Sequence, residues 1–313
     1  MSTIRVIKPG LLTTVQDLGR PGFGVMGVSA SGAADPVSLR IGNRLVGNPE
    51  NAAALEMTVI GGHFLFAEKT MIAVTGADFS ASLRGQRIPQ YLSLAVNAGE
   101  ILEFDRSMER LRCYLCVQGG IDVPEFLGSR STHLLSGHGG YEGRALRKDD
   151  ILKIGKCEPD FRSKRLAGPG HTNLVPRGVF RVTEGPQWSM FAEATKRAFF
   201  EQTYRVTDSA DRTGIRLDGF PLELPPGRDM LTEGVALGAV QIPRDGKPII
   251  LFVEQQTTGG YPKIANVITA DLYRVGQLQA HHEVRFELVS FEKARALLLR
   301  LDEYLSSPEL IRQ

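Results

Sequence analysis

The sequence predicts a mainly β fold built as barrels or closed sheets. Its 313 residues include 34 glycines and 17 prolines, so the segments between apolar runs are rich in turns. A doubly wound fold would instead need a helical segment of about ten or more residues between most strands. The apolar runs that predict strands are Ile4–Ile7, Met71–Thr75, Leu92–Val96, Ile101–Phe104, Cys113–Val117, Val179–Val182 and Ile249–Val253.

Length and composition predict two packed lobes. The chain is 42% hydrophobic and 23% charged, which is ordinary for a globular protein of this size. Residues 157–176 carry mixed charge and little apolar periodicity, and they include Gly168, Pro169 and Gly170 as breakers. We therefore place the first lobe at residues 1–156, the connection at 157–176 and the second lobe at 177–313.

Three helices are predicted to flank or plug the lobes. The clearest is Pro36–Val46, with Asp35 as its N-cap, proline at the first helical position and Gly47 just past its end. The second is Trp188–Gln202 and the third is Phe291–Leu305. One buried face of the third helix is predicted to hold Phe291, Ala294, Leu298, Leu301 and Leu305.

Charge and targeting features favour a cytoplasmic protein that binds neither nucleic acid nor membrane. Lys and Arg number 37 against 35 for Asp and Glu, and no long run of one sign could follow a phosphate backbone. Three cysteines do not suggest a disulfide framework, and the N-terminal sequence lacks the apolar stretch of a secretory signal. No window approaches about 18 consecutive apolar residues.

Several familiar site motifs are absent or out of context. Gly22, Gly24 and Gly27 match G-x-G-x-x-G, but no strand precedes them and no helix opens there, so a tight glycine loop is the favoured interpretation. No Walker loop and no G-x-S-x-G elbow is present. Cys113 and Cys116 have C-x-x-C spacing, but strand alternation would point them to opposite faces. The histidines show no zinc motif, so we expect no metal.

Four polar, glycine-rich segments are typical of a site for a polar small molecule. Each places several hydrogen-bonding side chains beside residues that allow a backbone to approach a ligand. The candidate substrate-binding residues in the first lobe are Asp17, Arg20, Ser31 and Thr132.

The fourth segment, Gln255–Lys263, combines three features. Gly259 and Gly260 can form an anion-binding nest of N–H groups, and Lys263 supplies a cation. The segment is equally typical of a β-turn between two barrel strands. Its side-chain donors and acceptors come from Gln256, Thr257 and Thr258.

Two glutamates are candidates for a general base. Glu56 and Glu233 lie next to predicted strands, where a carboxylate could reach a substrate proton. Exposed or salt-bridged glutamates are commoner. The catalytic base is therefore not assigned.

The chain resembles the family of the 5-oxoprolinase C subunit and allophanate-hydrolase-subunit-2-like proteins, from about Ile4 to Val289. The resemblance implies two cyclophilin-like β-barrel lobes and a subunit-B-like (KipI-like) partner, with the active site near where the two proteins meet. It rests on ten motifs in the family's order: Thr14–Gly22, Ser31–Asp35, Asn43–Glu50, Ala54–Glu56, Gly119–Pro124, Gly128–Thr132, Gly140–Leu146, Asp211–Leu217, Leu231–Val235 and Gln256–Ile264.

The function that the resemblance implies first is that of a component of an ATP-dependent 5-oxoprolinase. Such a complex, with a subunit-A-like (LamB/YcsF-type) partner, converts 5-oxo-L-proline, ATP and water to L-glutamate, ADP and phosphate. Phosphorylation of the lactam oxygen would make ring opening by water easier. Under this hypothesis Lys263 and the Gly259–Gly260 turn hold the phosphate or the developing oxyanion, while Gln256, Thr257, Tyr261 and Arg20 orient the substrate.

Two alternatives remain open. The family includes the carboxyltransferase domain of urea carboxylase, so carboxyl transfer from carboxybiotin to urea or a related amide is the second candidate. We rank it lower because this sequence has no Met-Lys-Met biotin-carrier motif. The third is a non-catalytic antagonist of a KipI-like kinase inhibitor. ATP would be bound by this chain or by a partner protein, and biotin is expected only under the second alternative.

Overall fold

A computed structural model describes residues 2–107, 109–158, 160–167, 178–224 and 230–313. The chain forms two compact units. The first comprises Met1–Arg20, Ser31–Gly170 and Leu305–Gln313, and the second comprises Pro21–Ala30 and His171–Tyr304. The predicted connection at residues 157–176 lies partly outside the described residues, so the predicted boundary stays a prediction.

The first unit contains two sheets that share one core. The seven-stranded sheet has the order β11-β12-β1-β4-β9-β6-β7, and the five-stranded sheet has the order β2-β3-β10-β5-β8. The strands are β1 Thr3–Lys8, β2 Leu12–Gln16, β3 Ala54–Thr58, β4 His63–Phe66, β5 Thr70–Gly76, β6 Ser82–Leu83, β7 Gln86–Arg87, β8 Ser93–Val96, β9 Ile101–Glu103, β10 Arg112–Val117, β11 Ile121–Asp122, β12 Ile151–Ile154 and β13 Arg165–Leu166.

The core of the first unit follows from strand alternation. In β1, Ile4 and Val6 are buried while Arg5 between them is exposed, because successive side chains point to opposite faces. The central strand β10 is buried along its whole length. Cys113 joins the core, whereas Cys116 faces a helix with its Sγ 3.8 Å from the carbonyl oxygen of Leu39. The predicted opposite orientation of the two sulfurs is confirmed.

That helix, α1, spans Pro36–Leu45 and confirms the sequence prediction to within one residue. The Asp35 side chain accepts a hydrogen bond from the Ser38 N–H at 2.9 Å, which caps the helix. The helix lies against β5 and β10. A Cβ on Gly42 would lie 2.6 Å from the Cys116 Sγ, so a glycine is needed for this close approach.

The second unit is built on a closed seven-stranded barrel. Its strand order is β14-β21-β18-β19-β16-β15-β22, and β22 returns to pair with β14 in parallel. β17 and β20 form a separate two-stranded sheet. The last strand of the chain, β23, belongs to the first unit, where it pairs with β13. The strands are β14 Val179–Glu184, β15 Tyr204–Val206, β16 Gly214–Asp218, β17 Glu233–Gly234, β18 Ala239–Gln241, β19 Ile249–Leu251, β20 Thr258–Gly259, β21 Lys263–Val267, β22 Glu283–Leu288 and β23 Ile311–Arg312.

Three further helices occur in the described part of the chain: α2 Glu193–Glu201, α3 Leu272–Val275 and α4 Phe291–Ser306. The second predicted helix begins instead with a 3₁₀ turn at Trp188–Met190. The predicted buried face of α4 is partly wrong, because Phe291 is 75% exposed while Leu305 is buried. Half-buried Ala294 and Leu301 pack against a small hydrophobic cluster of buried residues that lie outside α4.

The mainly β class is confirmed, and all seven apolar runs predicted as strands contain strands. The Gly22–Gly27 segment forms a 3₁₀ turn at Gly24–Met26, so it is a glycine loop and does not open an α-helix. In the part of the chain that the structure describes, no helix is long and apolar enough to cross a membrane.

Candidate functional site

In the first unit, the buried carboxylate of Asp17 accepts hydrogen bonds from the predicted polar segments. Asp17 follows β2, and its Oδ1 accepts hydrogen bonds from the Gly19 N–H at 2.8 Å, from the Ser129 hydroxyl at 2.7 Å and from the Ser131 hydroxyl. Its Oδ2 accepts from the Arg130 N–H at 2.6 Å. These bonds join two chain segments that are more than a hundred residues apart.

The other predicted residues of this unit lie beside that carboxylate. Arg20 is 1% exposed and donates from Nε to the Phe126 carbonyl oxygen at 3.3 Å and from Nη2 to the Ser131 carbonyl oxygen. The Ser31 hydroxyl donates to the Thr132 carbonyl oxygen at 2.9 Å. The structure therefore brings the four predicted substrate-binding residues together, but their polar groups contact this chain itself. Their role in substrate binding stays a prediction.

In the second unit, Lys263 lies at the centre of a polar cluster. Its side chain is 2% exposed and its Nζ forms an ion pair with the Glu233 carboxylate. The Gln187 Nε2 donates to the same Glu233 oxygen at 2.7 Å, and the Gln187 Oε1 accepts from the Lys263 backbone N–H at 3.0 Å. We call Lys263, Glu233 and Gln187 the Lys263 cluster. It places a nearly buried ammonium group beside a half-exposed carboxylate.

The charge state of Glu233 follows from these contacts. The hydrogen bond from Lys263, and then that from Gln187, lowers the pKa of the Glu233 carboxyl below its usual value. The carboxyl is therefore ionised at neutral pH and protonates only in more acidic solution. Glu233 is better suited to orient the Lys263 side chain than to act as a general base near pH 7.

The predicted Gln256–Tyr261 segment runs along the edge of this cluster. Glu233 in β17 lies opposite Gly259 in β20, and the Val235 N–H donates to the Thr257 carbonyl oxygen at 3.0 Å. Gly259 is buried and Gly260 is half-buried. The side chains exposed along this edge are those of Gln256, Thr258 and Tyr261.

The predicted anion-binding nest is wrong for this structure. A nest requires alternating right- and left-handed residues, and neither Gly259 nor Gly260 has a φ in the left-handed range. The physical reason is the pairing of β20 with β17, which holds the first glycine in an extended conformation. The alternative prediction, a simple turn between two barrel strands, describes the segment only in part. The connection between β19 and β21 also contains the additional strand β20.

Gly259 is instead required by a close approach. A Cβ at this position would lie 2.5 Å from the Gln241 Nε2 and 3.3 Å from a Val235 methyl. Gln241 lies opposite Lys263 in the β18–β21 pairing and is 1% exposed. Its buried Nε2 has no hydrogen-bond partner in this structure, which is unusual because an unmade buried hydrogen bond costs about 1–3 kcal/mol.

Sequence reasoning named Lys263 and Glu233 separately and missed Gln187 and Gln241. Gln241 could have been noticed, since it is a lone amide in the apolar run Val235–Ile242. Gln187 is 76 residues from Lys263 in sequence, so its contact with the lysine backbone has no local signal.

The glycine at position 259 gives a direct test. We expect Gly259→Ala to destabilise the protein by about 1–3 kcal/mol, because the added methyl overpacks against Gln241 and Val235. Gly234→Ala is the matched control in the facing strand, because nothing lies within 4 Å of the position that its methyl group would take. Thermal unfolding of both variants measures the effect. Equal melting temperatures would contradict the packing described for Gly259.

Glu56, the other candidate base, is enclosed in the first unit. Its Oε2 accepts hydrogen bonds from the Ala34 N–H at 2.9 Å and from the Tyr114 hydroxyl at 2.6 Å. Burial, and then the charge of Glu56, raises the pKa of the Tyr114 hydroxyl well above its usual value. Arg112 lies 3.4 Å from the other carboxylate oxygen. Glu56 therefore anchors the segment before α1 to β3 and β10.

No group of three or more His, Cys, Asp or Glu side chains among the described residues is arranged to hold a metal ion. Cys113 and Cys116 are buried in the first unit, and Cys157 is exposed. The prediction that the protein uses no metal remains a prediction. In the second unit, the polar groups that could meet a substrate include Lys263, its partners and the amide of Gln241.

A family model described as the carboxyltransferase domain, subdomain A and B, matches residues 26–288. The chain therefore belongs to this carboxyltransferase-domain family, and the resemblance found in the sequence is confirmed. It is 39% identical to the 5-oxoprolinase C subunit of Escherichia coli over 93% of each chain. It is 38% identical to the 5-oxoprolinase C subunit of Haemophilus influenzae, again over 93% of each chain.

A solved structure shows the same fold. The chain superimposes on the crystal structure of the Kluyveromyces lactis urea carboxylase with a TM-score of 0.91 and 33% sequence identity. The match covers 97% of this chain and 29% of that one, so this chain corresponds to less than a third of the larger protein. The relatives of this chain thus include a subunit of 5-oxoprolinase and a part of a urea carboxylase.

Proposed function

We propose that this chain is the C subunit of an ATP-dependent 5-oxoprolinase complex. The observation that carries the proposal is its 39% identity to the 5-oxoprolinase C subunit of Escherichia coli, which extends over 93% of both chains. The overall reaction converts 5-oxo-L-proline, ATP and two molecules of water to L-glutamate, ADP and phosphate. A planar cyclic amide matches the donors and acceptors that surround Lys263.

The difficult step is the opening of a lactam, because its carbonyl carbon is a poor electrophile. Water adds to this carbon, ATP transfers its terminal phosphoryl group to the carbonyl oxygen and leaves as ADP, and the ring C–N bond breaks as the nitrogen takes a proton and becomes the amine of glutamate. A second water then releases the phosphate from the resulting acyl phosphate. Negative charge gathers on the carbonyl oxygen as water adds. A charged donor in a site with little water stabilises this oxygen more than it stabilises the neutral amide.

Lys263 is the residue suited to that role. Its ammonium has three N–H donors and is nearly buried, and the Glu233 carboxylate holds it in place through an ion pair. The unpaired Gln241 Nε2 offers a second donor from the facing strand. Gln256, Thr257, Thr258 and Tyr261 would orient the rest of the substrate at the exposed edge, beside the backbone of Gly259 and Gly260.

The Lys263 cluster does not fit the triphosphate of ATP. Its one ammonium is already paired with a carboxylate, and the glycines beside it do not form a nest. We therefore propose that a partner protein binds ATP. The partners proposed for the complex are a subunit-B-like (KipI-like) protein and a subunit-A-like (LamB/YcsF-type) protein.

Carboxyl transfer from carboxybiotin to urea or a related amide is the second candidate. The superposition on the urea carboxylase, with its TM-score of 0.91, favours it. The same donors would stabilise the charge that develops on a urea oxygen. Biotin would then be supplied on a separate carrier protein.

Reconstitution separates the two candidates. The purified chain is mixed with a subunit-A-like and a subunit-B-like protein from the same organism, and ADP release is measured with and without 5-oxoproline. We expect stimulation in the complete mixture and none when this chain is omitted. If the partners bind but only urea, bicarbonate and a biotinylated carrier give avidin-sensitive turnover, the carboxyltransferase assignment replaces the oxoprolinase one.

A further inference from the structure

The first unit carries a cavity of about 330 Å³ with a cationic wall. Three of its lining residues are basic, namely Arg44, Lys164 and Arg312. Among the described residues that line it there is no Asp or Glu. We call it the basic cavity. All of its lining residues belong to the first unit, whereas the Lys263 cluster belongs to the second.

The fold brings these charges together from three distant parts of the chain. Arg44 lies in the last turn of α1, Lys164 immediately precedes β13, and Arg312 lies in β23. The antiparallel pairing of β13 with β23 also places Arg165 directly opposite Arg312. Like charges at directly opposite positions destabilise a strand pair unless a counter-charge is near.

The acidic side chain beside the cavity compensates little of this charge. The Lys164 Nζ lies 3.3 Å from Asp160, and the same carboxylate also binds Arg162 at 2.9 Å. A Cβ on Gly47 would lie 3.5 Å from the Lys164 Nζ, so the ammonium lies close to the backbone of the cavity wall.

Arg44 supplies a fixed guanidinium to the wall of the basic cavity. Its Nη2 donates to the Ser307 carbonyl oxygen at 2.8 Å, which fixes the guanidinium in place. Its Nη1 is buried and has no hydrogen-bond partner in this structure. Buried guanidinium N–H groups are normally paired, and their fork geometry matches the oxygens of phosphate.

We propose that the basic cavity binds a phosphate-bearing anion, either inorganic phosphate or a small phosphorylated metabolite. A ligand with two negative charges suits a cluster of cations better than a single carboxylate does. The cavity volume is near the lower end of about 300–1,000 Å³ found for small-molecule sites, which favours a small ligand. Such a site is separate from the amide chemistry proposed for Lys263.

Isothermal titration of the full chain with inorganic phosphate, pyrophosphate or ADP tests the proposal, with sodium chloride of equal ionic strength as the reference. We expect saturable binding of at least one of the three. Lys164→Gln and Arg312→Gln should each weaken it by about tenfold or more. Arg300→Gln, which removes an exposed charge from α4, should leave it unchanged. The compound that binds most tightly identifies the source of the phosphate group.

Two outcomes would overturn the proposal. One is the absence of saturable binding by all three phosphates. The other is binding that neither Lys164→Gln nor Arg312→Gln weakens relative to Arg300→Gln. Arg44 is left intact in these variants because its Nη2 also holds the Ser307 carbonyl oxygen, so its loss could alter the fold itself.

Discussion

Lys263→Met is expected to lower the 5-oxoproline-dependent turnover of the reconstituted complex by about 10²–10³-fold. This is the usual effect of removing one donor that stabilises a developing oxyanion. Methionine keeps much of the length of the lysine side chain and suits the nearly buried position. Glu233 is left half-exposed, so water can solvate its carboxylate. Steady-state ADP release measures the effect.

Lys247→Met is the matched control for that substitution. Lys247 pairs with Asp218 at 2.7 Å on the exposed surface, and its removal should change neither turnover nor folding appreciably. Both variants should bind the subunit-B-like protein as tightly as the parent chain does. Unaltered turnover in Lys263→Met would remove this lysine from the reacting centre.

Asp17→Asn is expected to destabilise the protein by about 3 kcal/mol. Both carboxylate oxygens now accept hydrogen bonds, one from hydroxyl groups and the other from a backbone N–H. In asparagine one of these oxygens is replaced by an NH₂ group, which is itself a donor, so at least one buried hydrogen bond would be lost. For a chain with units of this size, the melting temperature should fall by several degrees. Thermal and urea unfolding measure the change.

Asp122→Asn serves as the control, because Asp122 is an exposed aspartate of the same unit. Its substitution should change stability by less than about 0.5 kcal/mol. If Asp17→Asn unfolds like the control but raises the KM for 5-oxoproline, Asp17 contacts substrate. The opposite pattern is a lower stability with an unchanged KM for 5-oxoproline in the folded fraction. That result would mean that Asp17 holds the polar segments of the first unit together and does not contact substrate.

Local signals in the sequence were sufficient for seven of the strands and for α1. Apolar runs of strand length, bounded by turn residues, predicted seven strands that the structure contains. Asp35 as the cap and Gly47 past the helix end predicted both ends of α1 to within one residue. Phe291 was assigned wrongly to a buried face, because helical periodicity indicates which residues share a face but not where burial begins.

The candidate site was predictable only in part, because the pairing of strands determines which of its residues come together. The Gly259–Gly260 pair has a local preference for a nest, but pairing of β20 with β17 overrides that preference. The same pairing brings the segment of Glu233 beside that of Lys263, which lies 30 residues later in the chain. Gln187 became visible only through its contact with the Lys263 backbone, whereas Gln241 had a sequence signal as a lone amide in an apolar run.

The most direct measurement is the formation of L-glutamate from isotopically labelled 5-oxoproline by the complete three-protein mixture, run in parallel with parent chain and with Lys263→Met. We predict glutamate in stoichiometric amounts with ADP for the parent chain and at least about a hundredfold less for the variant. Equal glutamate formation by the two chains would contradict the central role of Lys263. Equal formation in a mixture that lacks this chain altogether would contradict its assignment to the 5-oxoprolinase complex.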